Sequence, residues 1–213
     1  MDSQQLFGKN ANSQITQPGF RFQWWWAVLA LLALLLLSIF SGYNGLVTSR
    51  EDVRAQRGNL QSQYQRRSDL IPNLVTIVKQ AGVTEEKILT DVIDARAKAT
   101  SININADNVT PEQLQQFQAA QNQLSTGLGR LLAVQEAYPQ LKSISQFQDL
   151  SAEVTGTENR IGTARRDFNQ TARNYNGRVQ TFPNNLTAGL FGFSKEAYFE
   201  ADAGTQAAPK VQF

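Results

Sequence analysis

The chain has 213 residues, with 20 basic and 18 acidic side chains, a net charge of +2, and neither histidine nor cysteine. Those two absences remove imidazole acid–base chemistry, thiolate nucleophiles, disulfides and the usual zinc and iron–sulfur ligand sets. The near-neutral balance gives no electrostatic case for nucleic acid or for a strongly acidic partner.

Residues 1–20 form a polar arm. From residue 22 to 48 nothing is charged, and residues 24–40 are apolar except for Ser38. About 20 apolar residues cross about 30 Å of hydrocarbon, so residues 21–42 are predicted to be a transmembrane helix. Trp24, Trp25 and Trp26, preceded by Phe20 and Phe22, supply amphipathic rings for one headgroup level, and Tyr43 supplies the other. A cleaved signal peptide is the rival reading, but it calls for a shorter apolar core and a basic start. Lys9 and Arg21 on one flank against Arg50, Arg54 and Arg57 on the other lean toward a cytoplasmic C-terminal domain.

Leu46, Val53 and Leu60 lie seven apart, which continues the membrane helix into water as a stalk with one apolar stripe. The spacing breaks at Ser68 and Asp69. Either Asp69 caps a new helix with Pro72 in its first turn, or one long helix kinks there. Leu70, Ile71, Leu74, Val75 and Val78 resume the stripe, Gly82, Thr84 and Glu85 interrupt it, and Ile88, Leu89, Val92, Ala95 and Ala99 carry it on. Residues 100–109 are polar, asparagine-rich and aperiodic, and are predicted as a loop.

Thr110, Pro111 and Gln113 spell a capping-box helix start. The seam that follows is Leu114, Phe117, Gln121, Leu124, Leu128, Leu131, Gln135 and Tyr138, with Pro139 expected to end the helix. Gln121 and Gln135 on that seam either find a partner and fix register or lie at its exposed edge. Phe147, Val154, Ile161, Phe168, Tyr175 and Phe182 then recur every seven residues until Pro183, a repeat that imposes a left-handed supercoil. Residues 43–182 thus read as a domain of long, coiled-coil-type helices, with antiparallel neighbours joined by short loops. Residues 183–213 read as an aromatic loop and an extended tail. If the last helix returns to the membrane, Phe191, Phe193, Tyr198 and Phe199 either pack under the bundle or dip into the interface, and Val211 and Phe213 are candidate anchors for the tail.

These stretches resemble the LemA family. The likeness begins at Tyr43-Asn44-Gly45-Leu46-Val47 and continues through residues 66–75, which hold Arg66, Arg67, Asp69 and Pro72, to Leu131-Leu132-Ala133-Val134, Glu136 and Tyr138-Pro139. It goes on through Thr157-Glu158-Asn159-Arg160-Ile161, Ala164-Arg165-Arg166 and Tyr175-Asn176. It closes at Phe182-Pro183-Asn184, Phe191-Gly192-Phe193, Tyr198-Phe199, Pro209, Val211 and Phe213. The resemblance implies an all-α protein, an antiparallel four-helix bundle behind one N-terminal transmembrane helix in the bacterial inner membrane. By analogy it also implies a role in organising membranes or partner proteins. Lipoprotein-like members carry a cysteine where this chain has Ser41, so here the apolar helix is the anchor, and the analogy places the bundle outside, against the arginine count. A tyrosine and a histidine–glutamate pair common in the family are replaced here by Ala81-Gly82-Val83-Thr84-Glu85.

No catalytic residue, cofactor or metal ligand set is expected. Glu85-Glu86 and Asp91 with Asp94 are carboxylate pairs of the kind found on solvated helices, and Ser194-Lys195 lies in a loop without an oxyanion signature. Arg66, Arg67 and Asp69, with Arg165 and Arg166, are the densest charged groups. They are either charge pairs at helix ends or a surface for a partner. The candidate membrane interface is Trp24, Trp25, Trp26, Tyr43, Phe191 and Phe193. The expected function is a non-enzymatic oligomeric scaffold. Its expected partners are the lipid bilayer, copies of itself and another membrane protein, with no nucleic acid. The alternative is an adaptor or sensor subunit for a membrane enzyme such as a protease.

Overall fold

The computed structural model describes residues 24–102, 104 and 109–200. The polar arm, Phe20, Phe22, Arg21, Pro209, Val211, Phe213 and half of the asparagine-rich loop lie outside them. Among the described residues the regular structure is entirely helical: α1 (Trp24–Gln80), α2 (Glu86–Ser101), α3 (Pro111–Ala133), α4 (Ser145–Gln180) and α5 (Asn184–Phe191). Two short 3₁₀ segments, Val134–Glu136 and Pro139–Ser143, link α3 to α4. The chain divides into two compact units, residues 1–38 and 39–213.

In the first unit α1 carries the apolar run, and Trp24, Trp26, Leu29, Leu31, Leu34 and Leu37 are all exposed. This is a helix long and apolar enough to cross a membrane.

In the second unit the stripe read from the sequence faces inward: Leu46, Val53, Leu60, Ile71, Leu74 and Val78 are all buried. Each such side chain contributes roughly 1.5–3 kcal/mol relative to exposure. No helix boundary occurs at Asp69. α1 runs on to Gln80 with Pro72 inside it, and a contact from α2 explains how. Proline has no N–H, so the Ser68 carbonyl four residues earlier loses its helical donor, and Arg96 Nε donates to that oxygen at 2.9 Å. Arg96→Ala is therefore expected to cost about 1 kcal/mol in the natural sequence and markedly less in a Pro72→Ala background, where the backbone N–H returns. Denaturant unfolding of the four chains of this cycle measures the coupling.

α3 starts as its sequence predicts. Thr110 Oγ1 accepts from the Gln113 N–H at 3.2 Å, and Gln113 Oε1 accepts from the Thr110 N–H at 3.0 Å. Its end differs from the reading: the α-helix stops at Ala133, not at Pro139. The tighter 3₁₀ turn that follows has three residues per turn, which brings Val134 inward in place of Gln135. A second correction falls on Phe182, expected as the last rung of the seven-residue repeat. α4 ends at Gln180, the Phe182–Pro183 peptide bond is cis, and Phe182 is 74% exposed. The earlier rungs, Phe147, Val154, Ile161, Phe168 and Tyr175, are buried.

Side-chain pairings fix relative direction. Between α1 and α4 they run from Gly45 with Arg178 through Arg57 with Phe168 to Arg66 with Glu153, so these helices oppose. α2 and α3 also oppose, pairing Ala99 with Gln121 and Val92 with Gly127. α1 and α3 run alike, through Tyr64 with Phe117 and Arg67 with Ser125. The short α5 lies against α1 at Gly42, where a Cβ would stand 3.1 Å from both Asn184 Oδ1 and Thr187 Oγ1. Gly192, at φ 73°, ends α5 in a left-handed turn, after which the chain has no regular secondary structure through residue 200.

Candidate functional site

Two apolar clusters fill the second unit, and a polar layer separates them. One holds Leu60, Tyr64, Phe117 and Ile161; the other holds Ile71, Leu74, Leu124 and Val154. At the level between them α1 places Arg67, which is only 1% exposed. Its guanidinium donates to Ser125 Oγ at 2.7 Å and to Glu158 Oε1 at 2.5 Å, and also to Gln121 Oε1. Gln121 Nε2 in turn donates to the Ala99 carbonyl of α2 at 3.3 Å, and Ser125 Oγ donates to Glu158 at 3.1 Å. The Tyr64 ring lies 5.5 Å from the Arg67 guanidinium carbon, and its hydroxyl accepts from Arg165 Nε at 2.7 Å. One arginine thus ties α1 to α3 and α4, and through Gln121 to α2. A slip of α1 by one turn would leave that charge buried without its acceptors, and a slip of α3 or α4 would remove some of them, which is how a polar layer selects register. The amide read as a possible register residue, Gln121, is buried with a partner, whereas Gln135 is half-exposed.

The five residues read as an interaction surface are therefore not equivalent. Arg67 points inward and is used up by the polar layer. Arg165 is half-buried beside Tyr64. Arg66, Asp69 and Arg166 are exposed: Arg66 pairs with Glu153 at 2.8 Å, Asp69 accepts from Gln65 at 2.8 Å, and Arg166 donates to Thr163 at 3.0 Å. The sequence carried no sign that Arg66 and Arg67, adjacent in the chain, would face in opposite directions except the heptad itself: Leu60, Arg67 and Leu74 are seven apart.

Of the residues read as a membrane interface, the tryptophans sit on the first unit, where the Trp25 and Trp26 rings are 4.5 Å apart. In the second unit Tyr43 meets both Phe191 and Phe193, with centroids 4.8 and 5.7 Å apart in edge-on geometry, and the Arg50 guanidinium lies 5.9 Å from the Phe193 ring. The reading missed three neighbours. Phe182, Leu186 and Leu190 are all exposed and four apart in sequence, Leu186 and Leu190 on α5 and Phe182 in the turn before it. That spacing is visible in the sequence, but the seven-residue repeat of α4 also claims Phe182.

Chemically, the two terminal nitrogens of Arg67 are engaged by Gln121, Ser125 and Glu158, while its buried Nε has no hydrogen-bond partner. Burial pushes the Tyr175 phenol up, with Arg50 pulling it back, so it stays neutral at physiological pH. A polar groove of about 330 Å³ between α1 and α4 is lined by Asn59, Gln63, Asn159, Arg160, Thr163 and Asp167. Among the described residues no three carboxylates are placed to hold a metal.

Magnetosome protein MamQ 2 of Paramagnetospirillum magneticum is 29% identical over 191 residues, covering 82% of this chain and 69% of that protein. Magnetosome protein MamQ of Magnetospirillum gryphiswaldense is 28% identical over 196 residues, covering 84% and 72%. Protein LemA of Metamycoplasma hominis is 23% identical over 158 residues, covering 74% and 68%. The model of the LemA family matches residues 56–213, from the stalk through the polar layer to the tail, and the chain belongs to the LemA family.

Proposed function

We propose that this chain is a membrane-anchored, non-enzymatic scaffold of the bacterial envelope that works as a homo-oligomer. The observation that carries the reading is the apolar run of α1. Its leucines are exposed along the whole stretch, and hydrocarbon is the medium that removes such a run from water. The second unit is read as an antiparallel four-helix bundle of coiled-coil-type helices, α1 to α4, a reading supported by the opposed pairings and by the seven-residue spacing of α4's buried face. Exposed Phe182, Leu186 and Leu190, with Tyr43, Phe191 and Phe193, are read as resting at headgroup depth. Tyr43 directly follows the apolar stretch, and amphipathic rings favour that level. The similarity to proteins named for magnetosomes supports a membrane-organising task.

The anchor is assigned to the inner membrane with the bundle on its outer side. The chain has no cysteine, so a single Asp149→Cys on the exposed face of α4 reports sidedness cleanly. Intact cells are expected to label with a membrane-impermeant maleimide, and labelling only after permeabilisation would place the bundle in the cytoplasm.

A second reading rests on the exposed guanidinium groups of Arg66 and Arg166: an adaptor that docks another membrane protein such as a protease. Crosslinking in native membranes separates the two. The scaffold gives self-crosslinks, whereas the adaptor gives one unlike partner that is lost on Arg66→Glu with Arg166→Glu.

A further inference from the structure

Residues 193–200 have no helix of their own, yet they are held closely, and side-chain amides do the holding. Asn176 donates from Nδ2 to the Glu196 carbonyl at 2.9 Å and accepts at Oδ1 from the Glu196 N–H at 2.8 Å. Asn169 treats Phe199 the same way, at 2.8 and 2.9 Å. Gln118 of α3 does so for Glu200, at 2.7 and 3.3 Å. Each amide satisfies both polar groups of one backbone residue, the service a neighbouring β-strand would provide. Such pairing ignores side-chain identity, and specificity comes from two sockets. Glu196 meets Arg57 at 2.5 Å with both side chains nearly buried. Three residues on, Phe199 is buried against the rings of Phe168 and Phe117, at 5.3 and 6.4 Å, with the Arg165 guanidinium 5.8 Å from its ring.

A backbone ladder with one acidic and one aromatic socket is the anatomy of a site for an extended peptide. We propose that this groove is a recognition site for an extended segment with a carboxylate three residues before an aromatic ring. Its occupant in the assembled protein is the 193–200 segment of a second copy, exchanged for the chain's own. The inference rests on the oligomeric reading above and names the means of assembly. Three observations favour a second copy. Apart from the Phe193 N–H, which donates to the Ala188 carbonyl of α5 at 2.9 Å, the segment's backbone is tied by side chains, so withdrawing residues 194–200 takes no backbone hydrogen bond from a helix. It leaves α5 at Gly192, whose φ of 73° lies in the region glycine enters freely, a natural joint. The contacts formed with a second copy are the same as those given up, and a shared anchor holds copies in one plane at high local concentration.

The test uses full-length chains carrying two different tags, co-expressed and extracted in detergent; one tag is captured and the other measured. Arg57→Glu leaves the segment intact and spoils its socket, and Glu196→Arg does the reverse. Within either variant every seat is mismatched, so self-capture is expected to fall at least tenfold below the natural chain. Mixing the two variants leaves both seats within each chain mismatched but matches both seats between chains, so cross-capture is expected to return to the natural level or above. Should either variant fail to fold alone, rescue in the mixture remains the readout. The proposal is overturned if the natural chain is captured but the mixture is not rescued, which leaves the groove to its own segment or to another protein's. It is also overturned if either variant self-captures like the natural chain. A natural chain that never captures itself overturns both this inference and the oligomeric reading.

Discussion

Glu158→Ala is expected to lower the unfolding free energy by about 3 kcal/mol, and Arg67→Met by only about 1 kcal/mol, although the two residues form one ion pair. The asymmetry follows from their surroundings. The Arg67 side chain is 1% exposed and the Glu158 side chain 35%. Without Glu158 the arginine remains charged between two apolar clusters with only the neutral acceptors of Ser125 and Gln121. Without Arg67 the carboxylate turns to water, while methionine fills much of the vacated volume. Thermal unfolding followed by helical circular dichroism measures both, and for a helical domain of this size the larger loss corresponds to several degrees in Tm. Equal effects would show that the layer is held by packing and not by the buried charge.

The second large effect concerns the anchor. A charge at the centre of a membrane helix costs roughly 2.5–3.5 kcal/mol on insertion, so Leu32→Arg combined with Leu35→Arg is expected to cost about 6 kcal/mol. Both positions lie within the exposed apolar run. The natural chain should remain in the pellet after alkaline carbonate extraction and the double variant should move to the supernatant. A double variant that stays fully in the pellet would show that something other than this helix holds the chain to the membrane.

Much of this was legible from spacing alone, because burial in long helices is periodic. Leu46, Val53 and Leu60, the α3 seam and the α4 rungs all declared their inward face, and Thr110 with Gln113 declared a helix start through a purely local mechanism. What was hidden depended on partners distant in sequence. Pro72 reads locally as a helix end, and only Arg96, 24 residues later, supplies the donor that lets α1 continue. Arg67 sits on the heptad but looks like a surface charge until Gln121 and Glu158 are seen to meet it. The change from α to 3₁₀ after Ala133 shifted the inward face by one residue. The amide ladder of Gln118, Asn169 and Asn176 has no sequence signature, because its ligand is a backbone and not a side-chain pattern.

The central claim is that an apolar helix tethers a bundle that acts through association with copies of itself. Light scattering of the full-length chain, extracted mildly and corrected for bound detergent, tests it most directly. The account predicts a discrete multiple of the 23.7 kDa chain mass that persists on dilution through the working concentration range. A protein component of 23.7 kDa at every concentration would contradict it.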